Sequence, residues 1–281
     1  MRRLNSYQDV RVLVTGASSG IGRSLALRFA RAGASLALVA RRAGELEKLA
    51  AEIRGAGGRA CVLPCDVADR DAVAQTAALA VERLGGVDLL VNNAGYGHHR
   101  PFLEWDLADM ERVMRVNYLG ALYFTKALLP QMVSRGKGWL VFVASVAGKL
   151  AVPDETAYAA SKFAMVGLAE ALSLEVEEAG VHVLTVCPGV VDTPFFDAEA
   201  LERMSATSRR SMVEPEAMTD AVMRALARGA REVTYPRHIA IAYLFRALAP
   251  QFLRSQIRRH TIGAAPRSGL TRGAARAGAP Q

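Results

Sequence analysis

The amino-acid sequence predicts an α/β domain in which a parallel sheet is covered by helices on both faces. Three observations lead there. Short apolar runs alternate regularly with longer helical patterns. Several runs are apolar almost throughout, as strands buried on both faces are. The first run ends in a glycine-rich turn that opens directly into a helix.

The elements follow in order. "VRVLVTG" reads as a buried strand ending in a turn, and "GIGRSLALRFARAG" as a helix closed by Gly33. "SLALVA" is a second strand, "ELEKLAAEIRGAGG" a polar-faced helix, "ACVLPCDV" a third strand and "RDAVAQTAALAVERLGG" a third helix. "VDLLVNNAG" is the fourth strand. A long helix is expected over 106–135, then strand "WLVFVAS", a helix over 156–179 and strand "VHVLTVCPG". Residues 191–213 are less regular and mix Phe, Met and Arg. A helix over 215–229 and the short strand "REVTYP" complete the body, with no internal repeat.

Composition limits the rest. The 281 residues, 51% hydrophobic, can bury one large core. Nothing divides residues 1–235, so they are expected to form one domain. No apolar run approaches the ~18 residues of a membrane span, and the N-terminus lacks an apolar signal core. Cys61, Cys65 and Cys187 form neither a zinc spacing nor an even framework, so they read as thiols in a reducing, cytoplasmic setting. The net charge of +8 is uneven: eleven arginines and one acid, Glu232, follow Asp220. The body is therefore near neutral, and the basic pI does not indicate nucleic-acid binding.

"TGASSGIG" spans Thr15 to Gly22, between the first strand and first helix. Gly16, Gly20 and Gly22 permit tight turning and close backbone approach. The N–H groups of Ser18, Ser19 and Ile21 lie where a helix start can hold a pyrophosphate. This context, more than the glycines alone, indicates a dinucleotide. The second strand ends in Ala40, Arg41 and Arg42, where an NAD-selective site often has an acid. An arginine pair suits a 2′-phosphate, so the expected cofactor is NADP.

Taken together, "TGASSGIG", "CDV" (Cys65–Val67), "NNAG" (Asn92–Gly95), Asn117 in "VNYLG", Ser145, "YAASK" (Tyr158–Lys162) and "PGVVDT" (Pro188–Thr193) resemble the short-chain dehydrogenase/reductase family over residues 9–235. The motifs are individually short, but their joint order is specific. The resemblance implies a Rossmann-type, doubly wound, seven-stranded parallel sheet of order 3-2-1-4-5-6-7. It implies that Asp66 and Val67 meet the adenine, that Asn93, Ala94 and Gly95 lie along the adenosine ribose, and that Pro188, Gly189, Val191 and Thr193 embrace the nicotinamide end. It also implies a homodimer or homotetramer formed through the long helices near 106–135 and 156–179.

Tyr158 and Lys162 stand four residues apart on one helix face. A nearby ammonium favours phenolate, so Lys162 is expected to bring Tyr158 toward a usable acid or base. In the family the lysine also holds the nicotinamide ribose. Tyr158 would exchange a proton with the reacting oxygen of a carbonyl or alcohol substrate, and Ser145 would hydrogen-bond that oxygen. By resemblance, Asn117 holds a water that relays protons from Lys162 to solvent.

The region after Thr193, with Phe195, Phe196, Met204 and Met212, is expected to form an apolar substrate wall. Arg209 and Arg210 are expected to face solvent. "YGHH" (Tyr96–His99) follows the fourth strand and is expected to border the pocket; His98 and His99 lack a companion metal-ligand pattern and read as a surface loop rather than a metal site. Residues 236–262 form a basic amphipathic extension in which Pro250 should kink or end a first helix. Packing or contact with a partner subunit, a pocket lid and peripheral contact with the inner membrane surface all remain open for it. Residues 263–281 have the composition of a disordered tail. The expected function is an NADP(H)-dependent ketone or aldehyde/alcohol oxidoreductase. A nucleotide-sugar epimerase or dehydratase is disfavoured by the short region after the sixth strand. An intact Tyr158–Lys162 site disfavours a non-catalytic NADPH sensor.

Overall fold

A computed structural model describes residues 3–196, 198–204 and 206–261. Strand β1 (Arg11–Thr15) fully buries Val12, Leu13 and Val14, then turns into helix α1 (Gly20–Arg31). Leu25, Ala26 and Phe29 of α1 pack on the sheet face that carries Val12 and Val14. Leu13 belongs to the opposite face, because successive strand side chains alternate. Each fully buried Leu or Phe contributes about 1.5–3 kcal/mol relative to exposure.

The unit then repeats. β2 (Ser35–Ala40) is buried at every position, and α2 (Ala43–Gly55) turns Leu46, Leu49 and Ile53 inward. β3 (Arg59–Pro64) leads to α3 (Arg70–Leu84). The Asp69 carboxylate caps α3 by accepting from Asp71 N at 2.9 Å and Ala72 N at 3.0 Å. Gly85, left-handed at φ 73°, ends it. β4 (Leu89–Asn92) follows.

The expected helix over 106–135 forms as α4 (Leu107–Met114) and α5 (Gly120–Ser134). Between them, Arg115–Leu119 wind as a wider π-type turn. β5 (Gly138–Val143), α6 (Thr156–Val176) and β6 (Val181–Pro188) come next, both strands buried throughout. The irregular stretch holds two short helices, α7 (Ala198–Arg203) and α8 (Ala206–Arg210). A bridge between Val191 and Val213 closes its ends. α9 (Pro215–Arg228) and β7 (Glu232–Tyr235) complete the sheet.

The seven strands are parallel and run in the order β3-β2-β1-β4-β5-β6-β7. α1, α2 and α9 cover one face, while α3, α5 and α6 cover the other. Because the order reverses between β1 and β4, their connections leave in opposite directions and open a crevice at the carboxyl edge.

Beyond β7 come the consecutive helices α10 (Ile241–Leu248) and α11 (Pro250–Thr261), broken at Ala249, with Pro250 opening the second helix. Thr234 Oγ1 donates to the Tyr243 hydroxyl at 3.3 Å. Arg246 stacks 4.8 Å from the Phe163 ring and donates to the Lys149 carbonyl. The tail expected to be disordered, residues 263–281, lies outside the described residues.

Candidate active site

The crevice begins at the β1–α1 turn. Gly16 (φ 66°) and Gly20 (φ 55°) occupy left-handed backbone that favours glycine. A Cβ at Gly16 would lie 2.8 Å from the Ala94 Cα, and one at Gly22 would lie 2.3 Å from the Gly16 carbonyl oxygen. The turn is thus closed against the β4 loop by backbone contact. Hydrogen bonds fasten it there: Asn93 Nδ2 donates to the Thr15 carbonyl at 2.9 Å, and Thr15 Oγ1 accepts from Asn93 N at 2.9 Å and Ala94 N at 3.0 Å. The start of α1 is left facing the cleft with the positive end of its dipole. This shape can hold a pyrophosphate.

Arg42 bends over the same turn. Its Nη2 donates to Ser18 Oγ and Ser19 Oγ, each at 2.9 Å. Ala40 is buried and Arg41 is exposed at the cleft edge. Asp66 accepts from Ala68 N at 3.1 Å and from Arg112 Nη2 at 2.8 Å. Burial pushes its carboxyl up, but Arg112 and the Ala68 N–H pull harder, and it ends below the usual carboxylate range.

Asn117 lies in the π-type turn and is fully buried. Its Oδ1 accepts from Tyr96 N at 2.9 Å, and its Nδ2 donates to the Tyr96 carbonyl at 2.9 Å and to Ser161 Oγ at 3.0 Å. Ser161 Oγ donates in turn to the Tyr158 carbonyl at 2.7 Å. Both amide N–H groups are therefore committed. In this arrangement the side chain clamps the β4 loop to α6.

Tyr158 and Lys162 project from the same face of α6, as their spacing requires. Lys162 Nζ lies 5.7 Å from the Tyr158 ring centroid and donates to the Val143 carbonyl at 2.8 Å. Burial dominates both groups. It pushes the Tyr158 phenol well above the ordinary tyrosine value, against a hydrogen bond donated by Ser145 that pulls it down. It lowers Lys162 from 10.5 to about 8. The expectation that the ammonium would lower the phenol does not describe this geometry: both charged forms are desolvated, and the ammonium hydrogen-bonds a backbone carbonyl. Small residues keep the space open. A Cβ at Gly97 would lie 2.9 Å from the Tyr158 ring, and one at Gly95 would lie 3.4 Å from Lys162 Nζ.

All the sequence-predicted site residues except two line one cleft of about 660 Å³. Gly22 and Asn117 stand behind its wall and shape it. Phe195, Phe196 and Met204 line it as expected, and Met212 does not. Phe195 packs on Tyr158 with ring centroids 5.3 Å apart. Arg209 and Arg210 are exposed, as expected.

The family model described as short chain dehydrogenase matches residues 10–203. The chain belongs to the short-chain dehydrogenase/reductase family. Oxidoreductase UcpA of Escherichia coli (strain K12) is 41% identical over 76% of this chain and 81% of that protein. Dehydrogenase/reductase SDR family member 7B of Danio rerio is 38% identical over 69% of this chain and 64% of its own length. Among solved structures, a short chain dehydrogenase/reductase from Burkholderia phymatum in complex with NAD superposes with a TM-score of 0.81 at 27% identity. It covers 89% of this chain and 96% of that one. The family is one of oxidoreductases that use a nicotinamide dinucleotide.

The "YGHH" loop borders the cleft of this short-chain dehydrogenase/reductase site, as expected, but its contacts lay beyond the sequence reading. His99 is not on an open loop surface: it is half-buried and lines the cleft. Its Nε2 meets Glu155 Oε1 at 3.0 Å, which assigns the proton to Nε2. Its ring lies 5.2 Å from that of Phe196, and its Nδ1 is buried with no hydrogen-bond partner among the described residues. His98 is also half-buried, held between the rings of Tyr96 and Trp105 at 5.7 and 5.5 Å. Leu150, Val152 and Ile239 add apolar wall. Only the adjacency of "YGHH" to β4 hinted at any of this, since Glu155 and Ile239 arrive from distant segments.

Proposed function

We propose that the protein is an NADP(H)-dependent oxidoreductase that interconverts a ketone or aldehyde and an alcohol, with an apolar or partly apolar substrate. The observation that carries this reading is the placement of Ser145, Tyr158 and Lys162 on one cleft with the glycine cradle. The cradle fits a dinucleotide, because any side chain at Gly16 or Gly22 would fill it. NADP(H), when bound, supplies or takes up the hydride.

This chain's own groups would do the rest. Gly16, Ser18, Ser19, Gly20 and Ile21 bind the pyrophosphate. Arg41 and Arg42 hold the 2′-phosphate, and Asp66 and Val67 flank the adenine. Asn93, Ala94 and Gly95 border the adenosine ribose, while Pro188, Gly189, Val191 and Thr193 enclose the nicotinamide end. Lys162 orients the adjoining ribose. Tyr158 gives a proton to a carbonyl oxygen in reduction and takes one from an alcohol in oxidation. Ser145 donates to the same oxygen as negative charge develops on it. Asn117 positions α6 and the β4 loop. Preference for NADP(H) is supported by Ala40 at the end of β2 and by Arg42 on the phosphate turn. Phe195, Phe196, Met204 and Leu150 support an apolar substrate.

A homodimer or homotetramer through α4–α6 is supported by Leu107 on α4 and Leu174 on α6, each 71% exposed. The free Cys61, Cys65 and Cys187 support a cytoplasmic setting.

The test is a panel of carbonyls and alcohols followed by cofactor absorbance, with NADPH against NADH. Turnover is expected with NADPH preferred, and Tyr158→Phe should lower kcat by about 10²–10⁴ while NADPH binding persists. Parity between the cofactors would remove the NADP assignment. Near-normal turnover in Tyr158→Phe would remove the proton transfer.

A further inference from the structure

The C-terminal helix pair exposes five large apolar side chains: Ile241 at 60%, Leu244 at 59%, Phe245 at 42%, Leu248 at 75% and Phe252 at 52%. They are not scattered. The first four recur at helical spacing along one face of α10. Phe252 of α11 joins them by packing on Phe245, with ring centroids 5.7 Å apart. The row therefore continues across both helices. A contiguous apolar patch of this kind marks an interaction surface.

The extension itself carries charge of one sign. Eight arginines and no acid follow Glu232 in the sequence. Arg254, Arg258 and Arg259 of α11 are exposed. Among the described residues no helix is long and apolar enough to cross a membrane.

We propose that this helix pair is a docking surface for an anionic lipid bilayer. The apolar row sinks into the boundary between headgroups and acyl chains, and the arginines meet lipid phosphates. A second copy of the chain fits less well. A two-fold interface sets a patch against its own copy, which would crowd the exposed Arg254, Arg258 and Arg259 of the two α11 helices. The acids beside α10, Glu170 and Glu232, already pair with Lys149. Docking also has a geometric consequence. Ile239 lines the cleft, and Ile241, two residues on, lies in the apolar row. The bilayer would thus meet the protein within one helical turn of the cleft wall.

The test is flotation of the full-length protein on vesicles, a readout that involves no turnover and stands whether or not the proposed reaction is correct. Vesicles of phosphatidylcholine alone are compared with vesicles containing phosphatidylglycerol. Binding is expected to rise at least about tenfold with the anionic lipid and to fall as salt is raised. The double variant Leu244→Asp/Leu248→Asp should lower it at least about tenfold. Arg258→Gln/Arg259→Gln should lower it roughly 25-fold, about fivefold for each arginine. Both variants change exposed side chains, so circular dichroism and Tm should match those of the parent protein. Absence of flotation, equal flotation on neutral and anionic vesicles, or flotation unchanged in both variants would overturn the proposal. So would a fall in the lipid-free mass of Leu244→Asp/Leu248→Asp by light scattering with flotation intact, which would assign the face to a second copy.

Discussion

Lys162→Met gives a measurement of how strongly the site desolvates its cation. The ammonium is 3% exposed and its proton affinity is lowered from 10.5 to about 8, with burial as the leading cause. The neighbouring Cys187 thiol, pushed up to about 12 by its own burial, stays neutral from pH 7 to 10 and supplies no counter-charge. At ~1.4 kcal/mol for each tenfold change in proton affinity, keeping Lys162 charged costs about 3 kcal/mol of folding stability. The sign follows from where each state releases its proton. The folded chain does so near pH 8 and the unfolded chain near 10.5. Between those values the unfolded chain binds more protons, and stability rises with pH. The cost is fully present below pH 8 and is relieved as pH climbs through the unfolded value. Lys162→Met has no such proton, and the other titrating groups cancel in the difference between the two proteins. Urea unfolding of both full-length chains without cofactor, at pH 7, 8, 9 and 10, reads the effect. The parent protein should gain roughly 2–3 kcal/mol on the variant between pH 7 and 10. Parallel stability profiles would show that the ammonium is solvated, and the electrostatic account of the site would fail.

Arg42→Ala should weaken NADPH binding about 10–100-fold, the worth of a charge-assisted hydrogen bond, and leave NADH binding unchanged. Fluorescence titration with each cofactor reads this, and equal loss for both would mean that Arg42 only braces Ser18 and Ser19. Gly22→Ala places a Cβ 2.3 Å from the Gly16 carbonyl oxygen and 2.4 Å from Asn93 Nδ2. It should destabilise the protein by about 1–3 kcal/mol and abolish measurable NADPH binding, checked by thermal unfolding and the same titration.

Local pattern and long-range contact divide what could be read from the chain. The strands were legible because the central ones are short runs buried on both faces, and Gly85 and Gly229 end their helices in left-handed backbone that few other residues adopt. Strand order was not legible from periodicity; it came from resemblance and matches the sheet. The π-type turn at Asn117 was hidden because one widened turn leaves the apolar spacing of 106–135 nearly intact. Its presence shows only once Asn117 is seen bridging Tyr96 and Ser161. Contacts across the fold were hidden for the same reason. His99 finds Glu155, Asp66 finds Arg112, and Ile239 reaches the cleft after the last strand. No local rule joins such partners.

The Tyr158–Lys162 pair shows how burial changes a reading made from spacing alone. Four residues of separation correctly put both groups on one face, and from there an ammonium beside a phenol should ease ionisation. The structure removes both from water, and desolvation acts on the two in opposite senses: it makes the phenol a weaker acid and the ammonium a stronger one. Each is pushed toward its neutral form. On the proposed reading this suits reduction, where a neutral phenol must keep its proton until a substrate oxygen gains negative charge and can take it. The reverse reaction needs phenolate, which burial disfavours. The ease of ionising Tyr158 therefore depends less on its spacing from Lys162 than on how completely Phe195, Gly97 and the wall of the cleft exclude water from the phenol.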